Sequence, residues 1–330
     1  MFKPVLQDGH NRRVSYVRIS VTDRCNLRCS YCSDPSFSFR DRAEILSYEE
    51  IIQLVRVLAT LGVDKVRLTG GEPLVRRHLD SLITRIGEIA GISDISLTTN
   101  GVLLENLAHS LWHAGLRRIN ISLDTLDRQK FVRITGRDYF DRVRAGIETA
   151  LAVGFSPVKI NAVVMRGVND DELLDFARLT LKYPLHIRFI EYMPIGRAST
   201  WSGAEVVTEA EMLERIAAGL GRLEPVAAAS SGPARLYRIA GAPGRIGVIA
   251  AMSNHFCATC NRIRVTADGR LRPCLLSDNE FDLKGVLHGG GDFAKIAALV
   301  RQAVAGKSAA HEMACNAERK CARMMSTIGG

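Results

Sequence analysis

Short apolar strands alternate with amphipathic helices through residue 195 of this 330-residue chain, and no other feature restricts its fold as much. The strand segments are SYVRIS (15–20), KVRLT (65–69), DISLTTN (94–100), RINISLD (118–124), VKINAVV (158–164) and HIRFIEY (186–192). Between them lie helical patterns at 48–62, near 78–90, near 103–114, two reaching about 153, and one near 170–181. Antiparallel strands can be joined by a few residues, whereas parallel strands need a long crossover, and these connections are long. Six β/α units therefore predict a parallel sheet covered by helices, while a closed barrel takes eight. The expected fold is α/β, an incomplete (β/α)6 TIM-type barrel.

After residue 200 the alternation stops. Thr208, with Glu211 three residues on, begins a helix over 208–217. The stretch 225–234 reads as a loop. RIGVIA (245–250) and 261–274 read as antiparallel strands, the latter a hairpin turning at Asp268-Gly269. A last helix is expected near 292–305. The domains expected are a partial barrel over 1–200 and a C-terminal α+β extension over 201–330.

Hydrophobic residues make up 47% of the chain, but no apolar run approaches 18 residues, so no membrane span is expected. The start, MFKPVLQDGHNRR, lacks the apolar stretch of a secretory signal, and a cytoplasmic location is expected. A net charge of +9 favours anionic partners. Nucleic acid would call for a dense Lys/Arg run or an aromatic-basic face, and neither is present. Instead Arg18, Arg67, Lys159, Arg188, Arg262 and Arg264 each sit singly among apolar residues of a predicted strand. Any one of them alone reads as a surface side chain with its head in water. Together, on successive strands, they match a small phosphorylated ligand, because a buried cation without an anion is costly.

Eight cysteines stand at 25, 29, 32, 257, 260, 274, 315 and 321. Six fall into two trios, C-x3-C-x2-C and C-x2-C-x13-C, and close spacing in a reducing compartment points to metal. The first trio directly follows the first strand, and the C-terminal ends of barrel strands carry chemistry. Structural zinc takes four ligands, and the nearest downstream histidine is His78. A cubane iron–sulfur cluster held by three thiolates leaves one iron open. The second trio contains a zinc-like C-x2-C with His255 beside it, so zinc and iron–sulfur both stand on spacing alone. Cys315 and Cys321 read as incidental thiols. AGKS (305–308) echoes a phosphate-binding loop but has Arg301 where the first glycine is required, so it is set aside. GGG (289–291) reads as a linker, and the eight histidines as structural or surface residues.

CNLRCSYC (25–32), followed one strand later by TGGEP (69–73), resembles the signature of the radical S-adenosylmethionine superfamily. Gly70 and Gly71 permit close backbone approach, and Glu72 offers charge to an ammonium. The resemblance implies a 4Fe–4S cluster on Cys25, Cys29 and Cys32 whose open iron chelates S-adenosylmethionine. One electron then cleaves a C–S bond to give a 5′-deoxyadenosyl radical. NHFCATCNRIRVTADGRLRPC (254–274) resembles the second-cluster region of the GTP 3′,8-cyclase family, which opens molybdenum cofactor biosynthesis. YVRISVTDRCNLRCSYC, VRLTGGEPLVR, LTTNG, INISLDTL, FIEYMPIG and the terminal IGG extend that likeness along nearly the whole chain.

This second resemblance implies a further 4Fe–4S cluster on Cys257, Cys260 and Cys274, its open iron facing guanine. It implies GTP contacts at Arg18, Arg67, Thr98, Lys159, Arg262, Ile263 and Arg264, with Arg188 a further phosphate candidate. Tyr31, Gly71, Ser122 and Met193 match the S-adenosylmethionine contacts. Arg18, Arg262 and Arg264 are the implied catalytic residues, acting electrostatically or in the final reduction. The implied lyase reaction removes the ribose 3′ hydrogen of GTP and joins C3′ to C8, giving (8S)-3′,8-cyclo-7,8-dihydroguanosine 5′-triphosphate. Implied partners are a one-electron donor of reduced flavodoxin or ferredoxin type and the cyclic pyranopterin monophosphate synthase that takes the product; a homodimer stays open. Gly329-Gly330 resembles a tail that enters the active site. The chain departs from the family at SDPSFSF (33–39), where Met-Pro is usual, and at His255, where proline is usual. Another two-cluster radical enzyme, such as a peptide maturase, and a zinc protein binding nucleic acid are the competing readings.

Overall fold

The structure, a computed structural model, describes residues 5–32, 38–196, 201–227, 232–288, 290–311 and 321–329. Cys315, Gly289, Gly330 and most of the departure at 33–39 lie outside the described residues.

The six expected units are present. They are β1 (Tyr16–Ser20), α1 (Tyr48–Thr60), β2 (Lys65–Thr69), α2 (Leu79–Gly87), β3 (Asp94–Thr99), α3 (Leu104–His113), β4 (Arg118–Ser122), α4 (Arg128–Thr135), α5 (Phe140–Val153), β5 (Val158–Val164), α6 (Leu173–Lys182) and β6 (Leu185–Glu191). Local chemistry sets their limits. Ser47 and Glu50 form a capping box at the start of α1, and Gly154 ends α5 in the left-handed region.

Beyond residue 200 follow α7 (Glu209–Leu220), β7 (Leu223–Val226), β8 (Arg235–Ile239), β9 (Arg245–Ile249), β10 (Arg262–Val265), β11 (Arg270–Arg272), β12 (Phe281–Asp282), α8 (Lys284–Leu287), α9 (Phe293–Ala305) and α10 (Met325–Ile328). All strands join one sheet, in the order β12-β11-β10-β1-β2-β3-β4-β5-β6-β9-β8-β7. The C-terminal strands thus differ from expectation. β10 runs parallel to β1 and β9 parallel to β6, so each flank of the six-strand series gains one parallel strand. The β10–β11 hairpin is antiparallel as expected, and β9 pairs antiparallel with β8 on its other side. Part of the expected loop at 225–234 is strand, paired antiparallel to β8. β7 forms the sheet edge with β8 beside it; both are short and half-exposed, and Pro225 sits in β7, so they carry neither an apolar run nor a strict alternation.

Alternation decides what faces inward. Val17, Ile19, Val66, Leu68, Ile119, Ile121, Ile187 and Phe189 are at most 1% exposed and belong to the main apolar core. Their strand neighbours Tyr16, Arg18, Lys65, Arg67, Arg118 and Arg188 line the interior cavity instead.

Candidate active site

A cavity of about 310 Å³ occupies the barrel interior, and all six clustered cysteines line it. Cys25, Cys29 and Cys32 follow the C-terminal end of β1. Cys257 and Cys260 precede the N-terminal end of β10, which runs parallel to β1, and Cys274 follows antiparallel β11 to the same side. The trios therefore face the cavity from opposite mouths, separated by the length of a five-residue strand, about 16 Å. The rule that chemistry sits at C-terminal strand ends accounts for the first trio only.

The first trio sits on a loop that docks against two neighbours. Arg28 N donates to Thr135 O (2.8 Å) and Ser30 N to Ile134 O (2.9 Å), while Gly71 N donates to Thr22 O and Glu72 N to Arg24 O (both 2.7 Å). A Cβ on Gly71 would lie 2.5 Å from Arg24 O, so this glycine is required by contact with the chain's own cysteine loop. Glu72 corrects an expectation. It is fully buried and does not line the cavity; its carboxylate accepts from Leu74 N (3.0 Å), Thr99 Oγ1 (2.7 Å) and Asn100 N (2.6 Å). Burial pushes its pKa up to about 7 against these hydrogen bonds. Its charge ties the glycine turn to β3 and is not offered to a ligand.

Tyr31 lines the cavity, and its hydroxyl donates to Asp124 Oδ2 (2.6 Å). Asp124 also accepts from Val163 N (2.8 Å), and burial pushes its carboxyl up to about 6. Burial also raises the thiols, Cys25 to about 11 and Cys32 to about 12, with Cys29 raised too. The neighbouring carboxylates Glu72 and Asp124 add to this.

Cations occupy the middle. Arg18, Arg67, Thr98, Lys159, Arg188, Arg262 and Arg264 all line the cavity, as do Gly71, Ser122 and Met193. Ile263 does not: it is fully buried in the apolar core, as alternation between Arg262 and Arg264 demands. Lys159 is pulled down to about 6 by burial and by Arg188, Arg67 and Arg118. Arg188 and Arg264 fall to about 10, burial first and neighbouring guanidinium groups next. Arg67 donates to Ser96 Oγ (3.1 Å) and lies over the Tyr16 ring at 5.5 Å, and Arg118 pairs with Asp94. Tyr16 Oη, Thr98 Oγ1, Asn161 Oδ1 and Arg188 Nε are buried and find no hydrogen-bond partner among the described residues. Crowded cations and orphaned polar atoms on one surface fit an anionic ligand that also presents polar edges.

Around the second trio the charge is reversed. Arg262 lies over the Phe256 ring (4.7 Å) and its Nη2 approaches Cys260 Sγ (3.8 Å). Burial raises the Cys260 thiol, but Arg262 and Lys307 outweigh it and bring it down to about 7. His255 and His311 also line the cavity, their rings edge-on at 5.4 Å; His311 is buried against Ala251 O and His255 is exposed. Among the described residues no three His, Cys, Asp or Glu side chains are placed to hold a single metal ion. Each trio presents free thiols to the cavity, a donor set that suits soft iron and leaves one corner of a cubane without a protein ligand.

The C-terminal segment closes the site. Cys321 N donates to Pro194 O (3.1 Å), Gly196 N to Cys321 O (2.9 Å), and Arg272 Nη2 to Cys321 Sγ (3.2 Å). Cys321 is 1% exposed, so it is a packed anchor and not an incidental thiol. Arg323 grips Asp268 (both contacts 3.1 Å) and Glu280 (2.7 Å). Met325 and Ser326 line the cavity, and Gly329 O accepts from Arg264 Nη1 (2.7 Å). Gly329 has φ +85° and lies where a Cβ would collide with Thr69 Oγ1.

Reading the chain for isolated cations misses Tyr16, Lys65, Arg118 and Asn161. The same alternate-residue rule finds Tyr16, Lys65 and Arg118 when each strand is followed back to its first position, and Asn161 when β5 is followed on from Lys159. Asp124, His311 and Lys307 carry no such signal, since they lie on loops.

Two family models match the chain, Radical SAM superfamily over residues 19–180 and Molybdenum Cofactor Synthesis C over residues 185–313. The GTP 3′,8-cyclase of Moorella thermoacetica is 50% identical over 327 residues, covering 98% of this chain and 100% of that relative. The GTP 3′,8-cyclase of Pelotomaculum thermopropionicum is 48% identical over 328 residues, covering 98% and 100%. Among solved structures, Streptococcus suis SuiB bound to S-adenosylmethionine superposes with a TM-score of 0.63 at 16% identity, covering 88% of this chain and 69% of that chain. That last likeness is one of fold.

Proposed function

This chain belongs to the GTP 3′,8-cyclase family within the radical S-adenosylmethionine superfamily, and from that premise we infer that it converts GTP to (8S)-3′,8-cyclo-7,8-dihydroguanosine 5′-triphosphate. The reaction is of the lyase class and is the first step of molybdenum cofactor biosynthesis. It uses two 4Fe–4S clusters and S-adenosylmethionine. The observation that carries this reading is one cavity with three free thiols at each mouth and buried cations between them.

Cys25, Cys29 and Cys32 hold the first cluster, and Cys257, Cys260 and Cys274 the second. When bound, the first cluster and S-adenosylmethionine supply a one-electron C–S cleavage and so a carbon radical able to abstract hydrogen. Everything else falls to the chain. Tyr31, Gly71, Ser122 and Met193 contact S-adenosylmethionine, with Tyr31 held by Asp124. Arg67, Lys159 and Arg188 bind the triphosphate with Arg18, Arg262 and Arg264, because polyanion binding relieves the repulsion and desolvation these cations bear. Thr98 supplies a hydroxyl, and Ile263 only backbone. Arg18, Arg262 and Arg264 are the catalytic residues, positioned to stabilise charge that develops on the nucleotide. The Gly329 tail, held by Arg264, restricts water at the centre of the cavity.

Residues 1–200 thus act as the S-adenosylmethionine unit and 201–330 as the second-cluster unit, sharing one sheet. No helix among the described residues is long and apolar enough to cross a membrane. A cytoplasmic location, a flavodoxin- or ferredoxin-type electron donor, transfer of product to cyclic pyranopterin monophosphate synthase and a homodimer complete the proposal.

The test is anaerobic reconstitution followed by product analysis. About eight irons per chain and GTP-dependent formation of both 5′-deoxyadenosine and the cyclised nucleotide are expected. Two zinc ions per chain, or 5′-deoxyadenosine released only with a peptide, would overturn the assignment.

A further inference from the structure

The AGKS segment, which fits no phosphate-binding loop, places Lys307 beside the second trio. Lys307 is 4% exposed and follows α9 directly. Its ammonium donates to Arg262 O (3.2 Å) and to Pro273 O (2.5 Å). These carbonyls belong to the segments that carry Cys260 and Cys274. Arg12 completes the arrangement from the other side. Its Nη1 donates to Cys257 O (2.8 Å) and Ala309 O (2.9 Å), and its Nη2 to Ser308 O (2.6 Å) and Lys307 O (3.4 Å). Two buried cations therefore hold all three cysteine-bearing segments, and Lys307 O links one cation to the other.

Their charges are not equivalent. Arg12 is balanced by Asp8, whose Oδ2 accepts from its Nε at 2.6 Å. Among the described residues Lys307 has no carboxylate partner, and Arg12 and Lys307 both border a small second pocket of about 30 Å³ behind the three thiols. Burying an ammonium against neutral carbonyls alone is unfavourable, and an anionic group at the thiols would offset that cost. Among the described residues the first trio has no such buried cation: its loop is held by backbone hydrogen bonds, by neutral Asn100, whose Nδ2 donates to Asn26 Oδ1 (2.7 Å), and by exposed Arg28, which donates to Cys25 O (2.9 Å) and Leu27 O (3.0 Å).

We propose that Lys307 is a positioning residue for the second cluster: it pins the Cys260 and Cys274 segments, and its unbalanced charge raises that cluster's reduction potential. The inference rests on the two-cluster assignment above. Hydrogen bonds and buried charge around the sulfurs are general determinants of cluster potential.

The experiment compares full-length wild type with Lys307→Met, Lys307→Gln and Lys307→Arg. It measures iron content after anaerobic reconstitution and an electron paramagnetic resonance-monitored redox titration of both clusters. Wild type holding only about four irons would sink the two-cluster assignment itself, independently of Lys307. Lys307→Met is expected to fall from about eight irons toward about four, with the first cluster still changing its spectrum on adding S-adenosylmethionine, which shows that the barrel is folded. Lys307→Gln, which keeps a donor without charge, is expected to hold both clusters with the second at a more negative potential. Lys307→Arg is expected to resemble wild type. Lys307→Met with full iron and unchanged potentials, or Lys307→Gln with the wild-type potential, overturns the proposal. Should Lys307→Met fail to fold, Lys307→Gln and Lys307→Arg decide it.

Discussion

The two cysteine trios look into the same cavity, yet the chain surrounds them with opposite charge. The first lies beside Asp124 and Tyr31, and burial pushes Cys25 up to about 11 and Cys32 up to about 12. The second lies among Arg262, Arg264 and Lys307, which draw Cys260 down to about 7, although burial still raises Cys257. The difference fits the placement of ligands proposed above. A zwitterionic amino acid with a sulfonium suits the neutral-to-acidic mouth, and a triphosphate suits the cationic floor leading to the other.

The most damaging way to break the comparison is to remove one ligand from each trio. Cys29→Ser and Cys260→Ser should each abolish cyclised product and lower iron from about eight to about four per chain. They should differ in one respect: only Cys260→Ser should still form 5′-deoxyadenosine, slowly and without product. Equal loss of 5′-deoxyadenosine in both would remove the division of labour.

Next come the three cavity arginines, of which Arg264 also holds the tail. Arg18→Ala, Arg262→Ala or Arg264→Ala should lower kcat by about 10²–10³-fold while both clusters remain, measured by product formation and iron content. Retained turnover in any of them would take that residue out of the catalytic set.

Lys159 gives a pH signature. Its pKa in the free protein, about 6, lies below the ordinary 10.5, and binding a polyanion must restore its charge. GTP binding should therefore take up a proton in that window, and affinity should weaken as pH rises through it, as read by calorimetry in buffers of different ionisation enthalpy. Lys159→Met should abolish the uptake and weaken binding by about 10²-fold. The unfolded chain binds the extra proton over the same window, so stability rises with pH there. Lys159→Met should flatten that rise and increase the melting temperature, by about 2–4 °C per kcal/mol relieved.

Smaller effects belong to the anchor and the free thiols. Arg323→Ala should lower kcat by roughly 3–10-fold, a loss of about 1 kcal/mol in holding the tail, with faster hydrogen exchange over 321–329. In cluster-free protein at pH 7.5, mass spectrometry should find Cys260 alkylated before Cys25 or Cys32, because only its thiol is substantially ionised. The reverse order would contradict the charge asymmetry.

Much of this was legible in the chain. The units from β1 to β6 follow from periodicity, and both trios from spacing. The inward cations follow from alternation, which also explains why Ile263 falls in the core beside its functional neighbours. The failures share a cause. β7 is an edge strand and β8 lies next to it, both held in place by partners, so their own composition says little. Glu72 looks like a free charge beside glycines, but Thr99 and Asn100, distant in sequence, consume it. Cys321 looks isolated until Arg272 and the backbone at 194–196 surround it.

By itself the sequence determined what repeats locally: six β/α units, two sets of three thiols, and cations on alternate strand positions. Helical and strand periods, glycine turns and ligand spacing depend on neighbours a few residues away. Only the tertiary structure decided that β9 and β10 extend the parallel series, that the second trio opens at the opposite mouth, and that Lys307 stands behind it. Those outcomes depend on which distant segments bury each other's apolar faces and satisfy each other's carbonyls, and local spacing does not encode that choice.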